Sequence, residues 1–432
     1  MALIVCIYQR TVRAWRLDAQ FSYDATMGWS RTAIWLAGAA AGLAAMTTAA
    51  SCTTFDTENG PTPDAASDTS TDGDGAAPDA AGDAEPLDGG SMPALTAVCP
   101  PPSGGVKPAE SWEKRPLYMP SVARMYPFAI ATDATHVTWV AQLGTAADSG
   151  LPDNAPYNGI GEGHILRVPK QGGKTVTLAR AQRYARSLAL DGDHAYWAIY
   201  DTDNVARLVR QRRDADCDAG CAAPELVTSF PPGSPIVTLR RAAPGVLFAL
   251  RENGPLFRFV VGSLAPEPVL TSGDYPALTV TDKEAFLSAG TVAEVGRAGL
   301  TSGAPNQPLV AIPPLDGGPV GVAPIATDCT SLWMIRELSQ PQVLKVSIAD
   351  ASSLVTLANR LTINAFDLAA DSRFVYAASP NAGGVFAIDK NNGASVLLRP
   401  GNVFRLAVDS EGIYFGEHDR SGAGALIMIV KK

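Results

Sequence analysis

The chain has 432 residues, 46% of them hydrophobic, which is enough for one large domain or two to three ordinary ones with a real core. Its formal charge of −9 is unevenly spread: residues 53–92 carry eight Asp and two Glu with no Lys or Arg, the first 52 residues sum to +2, and residues 93–432 therefore sum to −1. So neutral a body lacks the basic surface that releases counterions from a nucleic acid, and no nucleic-acid partner is expected. The one compact basic run, Arg210-Gln211-Arg212-Arg213, reads as a solvated strand end.

Residues 33–50 form an uncharged apolar stretch that follows Arg31 and ends at Ala49-Ala50-Ser51-Cys52, the three-part build of a secretory signal. The small residues before Cys52 resemble a lipobox, where signal peptidase II cleaves ahead of a diacylglyceryl cysteine. Ala49 departs from the Leu usual in that motif. The resemblance implies lipidation at Cys52 and a signal peptide over 27–51. A retained transmembrane helix and a plain soluble secretory signal are the alternatives, and the Ala and Gly content disfavours the first because these residues gain little on transfer to lipid. Met27 opens a compact basic segment, so residues 1–26 read as a mis-annotated extension. Thr53 after Cys52 resembles the default sorting of Gram-negative lipoproteins to the outer membrane, and several acyl chains on one cysteine would anchor durably.

Residues 52–93 are chiefly Asp, Ala, Gly, Pro, Ser and Thr, with Phe55 as the one aromatic residue. Such a segment buries too little apolar surface to offset its ordering entropy, and the expectation is a disordered, self-repelling acidic tether.

From residue 120 onward a phrase repeats: a short apolar strand, an Asp-led turn, a strand with an aromatic, a gap, and a strand closing in a Gly turn. Copies include Ala129-Ile130-Ala131-Thr132-Asp133 with Trp139, Leu188-Ala189-Leu190-Asp191 with Trp197, Asp328 with Trp333, Asp371 with Tyr376, and Asp409 with Phe415. Degenerate copies sit around Phe248 and around Asp282 with Phe286. With Trp139, Trp197, Phe248, Phe286, Trp333, Tyr376 and Phe415 as anchors the mean spacing is 46 residues, the period of a four-stranded propeller blade. An all-β propeller over 94–432 is expected, with seven blades by this count, and six or eight compatible with the poor middle copies. Insertions near 144–163 and 211–224 account for the long intervals. The last copy stops at Val430 without an outermost strand, which a segment from 94–126 is expected to supply.

These Tyr-Trp and Asp-turn phrases, over about residues 120–432, resemble the bacterial extracytoplasmic propellers with Tyr-Trp-type repeats, among them many myxobacterial lipoproteins. The resemblance implies the fold and leaves the function open, since that class spans binding modules, lyases and lactonases.

Each repeat Asp is read as a turn residue accepting backbone hydrogen bonds, and each aromatic as a wedge between blades. His136, His164, His194 and His418 have no zinc spacing. No metal and no cofactor are expected, and no nucleophile elbow occurs; a Ser/His/Asp triad drawn from different blades stays open. In the loop 214–225, Asp214, Asp216, Asp218 and Glu225 resemble an EF-hand, but Gly220 comes one place late, and Cys217 and Cys221 have no place in that pattern. A Cys217–Cys221 disulfide is expected instead. With Cys6 untranslated and Cys52 lipidated, this pairing leaves Cys99 with Cys329, although three connectivities are formally open.

The expected protein is a monomeric, lipid-anchored, extracytoplasmic propeller, a non-enzymatic binding or scaffold module for an envelope protein or glycan. Its alternative is a propeller enzyme of lactonase, lyase or glycoside hydrolase type acting at the central channel.

Overall fold

A computed structural model of the chain describes residues 112–119, 125–143, 162–252, 254–271, 275–288, 294–299, 307–312, 322–336, 341–350, 353–358, 365–380, 383–418 and 424–430. The signal segment, Cys52, the acidic tether and Cys99 lie outside these residues. Among the described residues all regular structure is β, and no helix is long and apolar enough to cross a membrane.

Twenty-eight strands form seven four-stranded antiparallel sheets. Blades 1 to 6 span 125–183, 188–229, 236–270, 277–311, 322–358 and 367–399, each with its strands in chain order from the channel outward. Blade 7 takes three strands from 402–430 and its outermost one, Lys114–Tyr118, from the start of the domain. That strand pairs antiparallel with Gly424–Val430, Lys114 opposite Ile429 and Pro116 opposite Ile427, so the two ends of the domain close the ring in one sheet. The expectation of seven blades and a borrowed outer strand is met, and the degenerate copies around Phe248 and Phe286 are complete blades.

The core is divided by the blades. Seven hydrophobic clusters are present among the described residues, one between each pair of neighbouring blades. Successive side chains of a strand point to opposite faces, so the second strand of each blade serves two clusters. Here the sequence anchors prove to be of two kinds. Phe248, Phe286, Trp333 and Tyr376 pack on the following blade, with Tyr196 and Tyr414 in the same position. Trp139, Trp197 and Phe415 stand one residue later and pack on the preceding blade. The mean period survives this mixture because the offset is a single residue.

Toward the axis, the innermost strands contribute one aliphatic residue each, namely Ile130, Leu188, Leu239, Leu278, Ile325, Leu368 and Leu406, all buried. Each lies opposite the residue that faces the preceding blade, as in the pairs Ile130 with Trp139 and Leu406 with Phe415, so the seven form one collar. At the closing interface Gly416 makes room: a Cβ there would stand 2.6 Å from the Pro127 side chain of blade 1 and 2.9 Å from its carbonyl oxygen.

The turn between first and second strands explains the recurring Asp. Asp133, Asp328, Asp371 and Asp409 each accept hydrogen bonds from the backbone N–H groups two and three residues on. The carboxylate also receives the aromatic five residues later: Trp333 Nε1 donates to Asp328 at 2.9 Å, Tyr376 to Asp371 at 2.8 Å and Tyr414 to Asp409 at 3.2 Å. A third partner comes from the next blade, just after its third strand. Arg213 pairs with Asp133 at 2.8 Å, Lys170 with Asp409 at 2.8 Å, and Lys390 with Asp328, all largely buried. Arg213 is thus a buried cross-blade cation rather than the solvated strand end expected of its run.

Two copies depart from the expected turn. In blade 4 the turn is capped by the hydroxyl of Thr281, which accepts from Lys283 and Glu284 backbone N–H, so Thr281 and not Asp282 holds the repeat position. Asp191 reaches across to blade 3, where Arg241 Nε and the Gly245 backbone N–H donate to it, both at 2.8 Å.

For Asp328, burial alone would raise the pKa, but the hydrogen bond and charge of Lys390, with donors from Thr330 and Trp333, outweigh burial and hold it at about 2. The folded value lies below the reference 3.8, so the pair stabilises the protein fully above that pH and its contribution is lost as pH falls from 3.8 towards about 2. Burial pulls Lys390 down in turn. In urea unfolding, Lys390→Met should flatten the acid branch of stability over that range; an unchanged acid branch would show that the pair does not set it. Removing one partner of a buried pair strands the other, so Arg213→Met should cost about 3 kcal/mol at neutral pH. Truncating the closing strand's buried side chain, Leu117→Ala, should cost about 2–4 kcal/mol, and a loss below about 0.5 kcal/mol would mean that the strand does not hold the ring.

Candidate functional site

The central channel holds a cavity of about 320 Å³ bounded by the innermost strands of all seven blades. Its character is set at the end where those strands begin, away from the Asp turns. There the ladders of blades 1, 3, 5 and 7 slip register, between Pro127 and Ala129, Ile236 and Thr238, Val322 and Ile325, and Val403 and Leu406. Bulges re-aim side chains. The residues within these four breaks include Phe128, Val237, Pro324 and Arg405, and all four line the channel.

Three arginines converge on this lining, Arg186, Arg240 and Arg405. The Arg186 guanidinium lies 4.0 Å from the Tyr184 ring centroid and 5.6 Å from that of Phe128, and Arg405 approaches the same Phe128 ring at 5.8 Å, so two cations share one aromatic ring. Phe366 is 43% exposed and stacks edge-on against Phe404, while its carbonyl accepts from Arg405 at 3.4 Å. Burial lowers the Arg240 pKa, with Asp367 attracting and Arg405 repelling its charge. Asp367 is committed elsewhere: its carboxylate accepts the backbone N–H of Leu368 at 3.1 Å and, across the blade boundary, that of Leu406 at 3.0 Å. The second lining carboxylate, Glu252, is exposed.

Cys217, Cys221, Cys329, His136 and His194 are not among the residues that line this channel. Cys217 and Cys221 form the expected disulfide, with Cα atoms 4.6 Å apart. Cys329, in the blade 5 turn, is also disulfide-bonded. The acids of their loop are each held by a base, Asp214 by Arg212, Asp216 by Lys174, Asp218 by Arg180 and Glu225 by Arg210, so they do not converge as a calcium loop requires. Among the described residues no three His, Cys, Asp or Glu side chains stand together as a metal site. His136 and His194 sit beside the Asp turns, and burial lowers the pKa of both.

The arginines of the channel were missed in the sequence because an Arg at an alternating strand position reads as the solvent face. The available signal was the placing of Arg240 and Arg405 on the innermost strand of a repeat, which has no solvent face except the channel.

No known protein family matches the chain, and no curated protein does. Solved structures do. The chain is similar to "YCF48 bound to D1 peptide" at 12% identity and a TM-score of 0.52, covering 77% of this chain and 99% of that one. YCF48 from Cyanidioschyzon merolae follows at 12% identity and 0.50, covering 73% and 98%, and the WD40 propeller domain of Doa1 at 10% and 0.50, covering 73% and 96%. Identities this low speak to architecture alone, and they agree with the sheet topology: the chain carries a seven-bladed β-propeller.

Proposed function

We propose that this chain is a non-enzymatic binding module of the cell envelope, tethered outside the cytoplasm by a lipid on Cys52 and acting through the arginine-rich end of its channel. The anchor and the envelope address rest on the Ala49-Ala50-Ser51-Cys52 motif and the acidic segment behind it. An envelope protein or glycan is the partner class, and Cys99 is the partner proposed for Cys329.

One observation carries the binding reading over the enzymatic one. A lactonase, lyase or glycosidase needs carboxylates or histidines free to move protons at the channel. In this channel Asp367 is spent on two backbone amides, and the repeat carboxylates of Asp133, Asp328 and Asp409 are locked in cross-blade pairs at the opposite end of the strands. The lining has no histidine, its other carboxylate, Glu252, is exposed and stands without a second free acid, and what the lining offers besides is guanidinium and aromatic surface, which binds without turning over.

Mass spectrometry of the N-terminus of the native protein should find Cys52 acylated, and Cys52→Ala should leave the signal uncleaved and the protein without acyl chains. An unprocessed N-terminus in the wild type would remove the anchor from this reading. The same preparation incubated with lactones, uronate polysaccharides and glycosides should leave them intact; turnover that Asp367→Asn abolishes would overturn the binding assignment in favour of the enzyme.

A further inference from the structure

We infer that the channel end formed by Arg186, Arg240 and Arg405 is a site for a small organic oxyanion, a carboxylate or phosphate ester carried next to a planar apolar group. This deepens the binding reading above and rests on it.

Three guanidiniums share a lining with two carboxylates, an excess of one positive charge; Asp367 has its hydrogen bonds taken up by backbone amides and Glu252 lies exposed. Arg240 is the informative member. It lies on the innermost strand of blade 3, opposite Phe248, and no described residue accepts a hydrogen bond from it or pairs with it. Asp367 and Arg405 act on it only through space. Collecting cations in a concave site of low dielectric is costly unless something neutralises them, and the same concavity concentrates an anion. Guanidinium is the group whose planar fork matches carboxylate and phosphate oxygens.

The neighbouring surface gives the rest of the ligand. Phe128, near both Arg186 and Arg405, and Phe366, 43% exposed, put aromatic surface beside the cations. The volume of about 320 Å³ is at the lower end of small-molecule sites, which admits a one- or two-ring anion rather than an extended polymer. Ile130, Leu188, Leu239, Leu278, Ile325 and Leu406 of the same lining add apolar surface.

The test uses the full chain and two defined probes, phenyl phosphate and 2-naphthoate, titrated calorimetrically at low and at about 0.5 M salt. Both should bind, more weakly at high salt, whereas 2-naphthylmethylammonium, of similar shape and opposite charge, should not. Arg240→Met should weaken the anions at least about ten-fold, the loss expected for one charge-assisted contact, with Arg240→Lys between. Arg405→Met, measured alongside with its melting temperature, guards against a folding defect in one variant. Anion binding that neither substitution changes would locate the anions elsewhere and overturn the inference. Binding of the ammonium probe or of neutral 2-naphthol in place of the anions, lost in Phe128→Ala, would also overturn it while leaving the channel a binding site. If phosphate binds and carboxylate does not, or the reverse, the oxyanion assignment stands and its chemistry is narrowed.

Discussion

A ring of sheets has no interior apart from the seams between its blades, so everything in this fold depends on closing the last seam. The strand Lys114–Tyr118 does so by joining the sheet that the C-terminal end of the domain builds. Leu117 and Tyr118 then pack in the cluster that joins blade 7 to blade 1, with Trp139, Tyr414 and Met428. Without that strand, Gly424–Val430 would present an open edge, and the remaining six seams would hold an arc able to splay. Gly416 belongs to the same requirement, because at this seam the backbones approach so closely that a methyl group would meet Pro127.

The phrase that repeats in the sequence is a record of one seam's chemistry seen from one side. Asp and the aromatic five residues later are legible because they are close in sequence and belong to one blade. The cation that completes the lock is not, since Arg213 stands 80 residues from Asp133 and Lys390 stands 62 from Asp328. A run such as Arg210-Gln211-Arg212-Arg213 looks uniformly solvated until the fold separates its members. Arg210 and Arg212 keep surface partners, and Arg213 is drawn into the seam. The period was legible for a related reason: two aromatic positions one residue apart face opposite seams, and a period near forty-six tolerates that slip. The channel was the least legible part. Arg186 reaches the lumen from just before a strand, Arg405 from a bulge and Arg240 from the middle of a regular strand, and a one-residue register slip such as that at Arg405 leaves no reliable trace in composition.

The two ends of the ring consequently differ in kind. At the Asp turns charge is paired and buried, and each pair ties one blade to the next. Away from those turns three arginines line the lumen, one positive charge in excess of the lining carboxylates. On the proposed reading, stability and ligand capacity are served by different residues of the same blades. This separation lets the arginine end vary without unlocking the seams, in keeping with a scaffold whose function is set by its site rather than its fold.

The exceptions among the turns show that the lock is a pair and not a habit of the Asp alone. The position after the third strand, which donates its backbone N–H to the preceding turn of its own blade, is filled by Lys170, Arg213 and Lys390 in blades 1, 2 and 6. In blade 5 it is Ile348, and the turn that faces it from blade 4 carries the neutral Thr281. In blade 3 it is Val261, which offers Asp191 no charge, and Asp191 takes Arg241 and the Gly245 amide instead. A buried carboxylate without a partner would cost several kcal/mol, so acid and cation are present together or replaced together, and where one alone remains the chain supplies a substitute from the nearest strand.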